Sequence, residues 1–133
     1  NISASGTIYG SELEGVNSLQ ITNITATGSI YTSTIYDHGH GNTIVPNFSA
    51  SNLQKAVITG GATINNTSAK AVGGSITLRM SAYNVNCGLT FNSDWIFIGT
   101  KPAVLPANKY GVLSLQSFGS AESDIIASFG LSV

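Results

Sequence analysis

The decapeptide NISASGTIYG at residues 1–10 returns as NITATGSIYT at residues 23–32, with six of ten positions identical and three of the other four exchanging Ser and Thr. A match of this quality at a 22-residue offset constrains the fold more than any other feature, because each copy must be one supersecondary unit that stacks on the next. Inside a copy, Ile2 and Ala4 alternate with Ser3 and Ser5, Gly6 permits a turn or bulge, and Thr7-Ile8-Tyr9 resumes an extended run. Ile24, Ala26, Gly28, Ile30 and Tyr31 repeat the pattern, and the register continues weakly as Ser11 matches Ser33 and Leu13 matches Ile35. Two such units hold too few apolar groups to keep a core dry. The missing surface is expected from other copies of the chain: three strands wound about one axis, with the Ile column inside and Ser and Thr in water. Two similar β-hairpins in one globular domain are the alternative, and oligomeric mass separates the two.

Only 8% of the 133 residues are charged, against roughly 25% in ordinary soluble domains. Ser, Thr, Asn and Gly together make up 58 residues, so small neutral polar groups carry the solubility. Such a surface suits a secreted or virion protein. With a net charge of −1 there is no basic surface to attract phosphate, which argues against a nucleic-acid partner. Apolar runs such as Trp95–Ile98 fall far short of the about 18 residues needed to span a bilayer as a helix, so no membrane insertion is expected. The chain opens on Asn1 with neither an initiator Met nor a charged-then-apolar leader, which suggests a fragment or a processed product. The lone Cys87 makes no internal disulfide and is expected to be a small buried hydrophobe.

Helix formers are scarce and β-branched residues plentiful, so the chain should be nearly all β. Ile76, Leu78, Met80 and Ala82 share one face of a strand, with Thr77, Arg79, Ser81 and Tyr83 on the other. Ile125, Ala127, Phe129, Leu131 and Val133 form a second such face, with Ile126 the exception. Further strands are expected at residues 53–59, 89–92, 94–98 and 110–118, separated by turn chemistry such as Gly60-Gly61, Asn65-Asn66 and the loop at residues 102–108. Short strands at this spacing suggest an antiparallel sandwich or jelly roll.

The repeat Ile-[Ser/Thr]-Ala-[Ser/Thr]-Gly-[Thr/Ser]-Ile-Tyr resembles the shaft repeats of bacteriophage tail fibres, and residues 99–133 are similar to the C-terminal region of phage tail and tail-fibre proteins. The resemblance implies a homotrimeric, β-structured virion protein at an extracellular location. It also implies further tail proteins as partners and attachment to a host surface glycan or protein.

Both histidines fall in Tyr36-Asp37-His38-Gly39-His40-Gly41-Asn42, directly after the repeats. In an extended strand residues two apart point the same way, so His38 and His40 would face a trimer axis together and three chains would offer six imidazoles. Six nitrogens suit Fe(II) or Ni(II) better than zinc. By resemblance to phage fibre tips and spikes that hold iron with His-x-His elements, a structural iron ion (Fe2+) is implied at His38 and His40. An Asp-His-Gly turn with both rings in water is the plain alternative.

No G-x-S-x-G is present, and Asp94 with Glu122 or Asp124 could form a glycosidase pair only if they converged, which nothing in the sequence shows. The expectation is therefore no enzyme. Sequons at Asn1, Asn23, Asn47, Asn65 and Asn66 follow from composition alone. The full expectation is an all-β homotrimeric fibre: a β-repeat shaft at residues 1–36, a His-x-His collar at 37–44, and an antiparallel β-sandwich-like head at 45–133. Receptor contact is expected on head loops, at Arg79, Tyr83, Asn84, Asn86, Lys101, Asn108 and Tyr110, with Trp95 taken as core. A purely structural fibre or decoration protein, and a monomeric carbohydrate-binding adhesin module, are the rivals.

Overall fold

A computed structural model describes residues 34–70 and 72–133. The repeat, and all of the expected shaft except its last three residues, lie outside the described residues. The regular elements of the described residues are all strands apart from one short 3-10 turn at Glu122–Asp124. Its strands are β1 Tyr36–His40, β2 Thr43–Ile44, β3 Leu53–Ile58, β4 Ala62–Ile64, β5 Ser75–Ala82, β6 Cys87–Phe91, β7 Ile96–Phe97, β8 Val104–Leu105, β9 Tyr110–Ser117 and β10 Ile125–Leu131. They form a six-stranded sheet in the order β1-β3-β5-β9-β10-β7 and a four-stranded sheet in the order β2-β4-β6-β8.

The head is mixed, which corrects the expectation of an antiparallel sandwich. β1, β3 and β5 pair in parallel in the larger sheet, and β2, β4 and β6 pair in parallel in the smaller one. Parallel neighbours need a crossover of about a dozen residues or more. Here the crossover is the other sheet: the link from β1 to β3, residues 41–52, contains β2, and the link from β3 to β5, residues 59–74, contains β4. Three rungs thus stack, each giving one strand to each sheet. Their corners bond to one another as well, with Thr63 N donating to Asn42 O at 2.8 Å, Asn65 N to Ile44 O at 2.8 Å and Tyr83 N to Ile58 O at 3.0 Å. Beyond β5 and β6 most of the pairing turns antiparallel, β9 on β5, β10 on β9 and β8 on β6, while β7 pairs with β10 in parallel. The residues of the expected collar, 37–44, supply most of β1 and all of β2.

The expected alternation of β5 holds: Ile76, Leu78, Met80 and Ala82 are buried, and Thr77 and Arg79 face out. Ile125 and Ala127 of β10 are buried too, while Phe129 is half-buried and Leu131 and Val133, past the edge of the core, are exposed. From the smaller sheet Ile44, Ala62, Ile64, Cys87, Leu89 and Phe91 meet them in one core. Phe91 stacks edge-on with Phe97 and Phe129 at 5.0 and 6.0 Å between ring centres. Each fully buried Ile or Leu contributes about 1.5–3 kcal/mol, so these residues hold the two sheets together on one core. Cys87 is buried as expected, its thiol aimed at Ile58 O and Val85 O, and burial pushes the thiol pKa up. Trp95 is core, 5% exposed.

Candidate binding site

The outward row of β5 continues from Arg79 and Ser81 to Tyr83, just past the strand, and β9 lies alongside with Arg79 opposite Val112 and Ser81 opposite Tyr110. Cross-strand neighbours on one face reach each other, and the Arg79 guanidinium sits 5.5 Å from the centre of the Tyr110 ring. Tyr83 and Tyr110 are large aromatics left 64% and 52% exposed. Two loop ends close the site. Asn84 and Asn108 both adopt left-handed backbone, φ 58° and 60°, a conformation Asn tolerates better than most residues. Asn84 N donates to Asn108 Oδ1 at 3.3 Å, and Asn108 N donates to Ala82 O at 3.0 Å. The result is a hollow of about 250 Å3 lined by Ser81, Ala82, Tyr83, Asn108, Lys109 and Tyr110.

A second hollow of about 200 Å3 shares Ser81 with the first and adds Asp37, His40, Lys55, Ala56, Val57 and Arg79. The two hollows meet at Ser81 on the outer face of the larger sheet, with Arg79 of the second over the Tyr110 ring of the first, and are taken together as the groove. Lys55 is held by Asp37 at 3.0 Å. Asp37 in turn has its carboxyl below the usual range, first because Gly39 N donates to it at 2.8 Å and next because of Lys55.

Of the seven expected contact residues, Tyr83, Asn108 and Tyr110 line the first hollow and Arg79 the second, while Asn84 touches the site only through its bond to Asn108. The other two do not join it. Asn86 Oδ1 accepts from Ala107 N at 2.9 Å and fixes the loop, and Lys101 lies over the Phe97 ring, 5.3 Å from its centre. Sequence reasoning missed Lys109 and Ser81, which reach the groove because β9 pairs with β5; a cation beside an Asn turn was the available signal.

His38 and His40 do not share a side. β1 carries a bulge: Asp37 pairs with Lys55 but His40 pairs with Val57, one residue out of step, and Gly39 absorbs the shift at φ 71°. An extra residue inverts the alternation. His38 Nε2 meets Oε1 of the buried Gln54 at 2.8 Å, whereas His40 lines the outer groove. The pair thus does not fit a six-imidazole site built from both rings, and no iron enters the functional reading. Among the described residues no three His, Cys, Asp or Glu side chains gather as a metal site.

The carboxylates serve structure. Glu122 takes Lys70 Nζ at 2.8 Å, Trp95 Nε1 at 2.7 Å, and the N and Oγ1 of Thr67 at 2.8 and 3.1 Å. Burial pushes its carboxyl up, but the bonds from Lys70, Trp95 and Thr67 outweigh that and hold it below the usual range. Asp124 Oδ2 accepts from Ala121 N, and Asn92 Oδ1 accepts from Asp94 N in a turn. In the loop at residues 65–70 Glu122 pins Thr67 and Lys70, while Asn65, Asn66 and Ala69 are exposed. Comparison with protein-family models, with curated proteins and with solved structures finds no match.

Proposed function

We propose that the chain is the tip of a virion tail fibre, a non-catalytic binding protein that attaches to a host surface glycan through the groove between β5 and β9. The observation that carries this is the pair of exposed tyrosines, Tyr83 and Tyr110, flanking a hollow lined by Ser81, Asn108 and Lys109. Aromatic faces stack on the apolar faces of sugars while their rims and the neighbouring amides bond the hydroxyls. The 22-residue repeat and the charge-poor composition support a homotrimer, in which three modest sites add through effective concentration. Purified protein is expected to bind host cells and to block adsorption of the parent virus, and Tyr110→Ala is expected to lose both. Wild-type protein that neither binds nor blocks would leave a structural fibre piece.

A second reading, a monomeric glycan-binding module, is favoured by the one core on which the two sheets meet. Light scattering decides between them: 13.7 kDa for the module, about three times that for the fibre tip.

A further inference from the structure

We infer that the ligand of this groove is an anionic glycan, one whose carboxylate or phosphate is met by Arg79 and Lys109. The inference rests on the reading of the groove as a sugar site and adds the charge of the sugar. The chain owns few cations. It has five basic residues in all. Lys70 is consumed by Glu122 at 2.8 Å, with both side chains largely buried, and Lys55 by Asp37 at 3.0 Å. Among the described residues that leaves Arg79, Lys101 and Lys109 without an ion-pair partner, and two of these three line the adjoining hollows that meet at Ser81, Lys109 the first and Arg79 the second. In a chain this sparing of charge, that concentration gives the groove a sign.

No carboxylate lines the hollow between Tyr83 and Tyr110. The nearest acid along the groove, Asp37, is already engaged by Lys55 and by Gly39 N. An incoming anion would therefore meet cations that nothing internal neutralises. Arg79 is also held in place. Its guanidinium lies over the Tyr110 ring, so the planar fork is oriented before a ligand arrives and loses less freedom when it binds a carboxylate or phosphate. Asn108 spends its carbonyl oxygen on Asn84 N, which leaves its amide NH2 to donate. Donors and cations dominate the rim, and an acceptor-rich ligand matches them. The hollow of about 250 Å3 is below the range of drug-sized pockets, and the adjoining one of about 200 Å3 continues past Ser81 and Arg79. Such a shape takes a short stretch of a saccharide chain.

The test uses the full chain and fluorescence or calorimetric titration with four probes. These are galacturonate oligomers of about six sugars, the same oligomers fully methyl-esterified, and glucose 6-phosphate against glucose. The acid oligomer is expected to bind at least about tenfold tighter than its ester, as the loss of a charge-assisted contact implies. Arg79→Gln and Lys109→Gln are each expected to remove most of that preference, and Lys101→Gln, the charge outside the groove, is expected to leave it intact. Preference for the phosphate sugar over the uronate would name phosphate as the source of the anion; the reverse would name carboxylate. Equal binding of acid and ester, lost in Tyr110→Ala, would overturn the anionic inference while keeping the sugar site. Binding of no probe, acid or neutral, would overturn both.

Discussion

Two groups of polar side chains in this molecule are built from similar parts and do opposite things. Around Glu122, an acid, a cation, an indole and a threonine close on one another, with Lys70 and Glu122 only 19% and 11% exposed. Around Lys109, two tyrosines and an asparagine line a hollow with no carboxylate, and Arg79 stands over one of those tyrosines with the nearest acid, Asp37, already engaged by Lys55. The difference is whether the chain answers its own charge. A charge satisfied internally and shielded from water holds structure, because breaking it leaves the survivor buried and unpaired. A charge left unanswered on a rigid sheet adds little to stability and remains for a ligand.

The comparison breaks most directly at Glu122. Glu122→Ala strands Lys70 and removes the acceptor of Trp95 and Thr67, so a loss of about 3 kcal/mol is expected, the low end for a buried pair, since both groups keep some contact with water. Urea denaturation measures it. Sugar binding by the folded fraction should be unchanged, because Glu122 lines neither hollow of the groove. A variant as stable as the parent would mean that the cluster is surface decoration.

Acid should reproduce part of that loss. The folded carboxyl of Glu122 is held below its unfolded value of about 4.3. Its contribution is therefore fully present above that pH and is lost as pH falls through the folded value. The urea midpoint should be flat from pH 7 to 5 and fall below about pH 4. Glu122→Gln should reduce the slope without erasing it, because Asp37 shifts in the same direction.

How much of this was legible in the sequence varies with the length over which a pattern runs. β5 shows its face in Ile76, Leu78, Met80 and Ala82 because eight residues alternate without interruption. β2 and β8 are two residues each and carry no period at all. The parallel stacking was hidden for another reason: local pattern reveals which face of a strand is buried, not that the chain leaves for the opposite sheet before it returns. The groove was legible by residue type, since tyrosines, an arginine and asparagines next to turns are what a sugar site uses, but Lys109 joined only through the β5–β9 register. The bulge at Gly39, which puts His38 and His40 on different sides of β1, has no signature in a bare His-x-His. Glu122 and Lys70 are 52 residues apart, and no motif connects them.

A smaller change inside the buried cluster sharpens the contrast. Trp95→Phe keeps the ring in the core and removes only the N–H that donates to Glu122 at 2.7 Å. A hydrogen bond to a charged acceptor is worth about 1.5–3 kcal/mol, and the two remaining partners of Glu122 soften its loss, so about 1.5 kcal/mol is expected. Combined with Lys70→Met it should cost less than the sum of the two singles, since both act through one carboxylate.

The smallest effect on stability is expected where the effect on binding is largest. Tyr110 is half exposed, and its ring contributes to the fold chiefly through the Arg79 guanidinium above it. An exposed contact of that kind is worth about 0.5–1 kcal/mol, so Tyr110→Ala should shift the urea midpoint barely beyond error. The backbone of β9 stays in place, because the strand is held by its ladders to β5 and β10 and by Tyr110 N donating to Ser132 Oγ at 3.0 Å. Binding should nevertheless fall about tenfold or more, since the platform and the orientation of Arg79 disappear together. Were Tyr110→Ala to unfold the head instead, the tyrosine would belong with Trp95 as a core residue, and the separation between satisfied and unanswered charges would not run through β9.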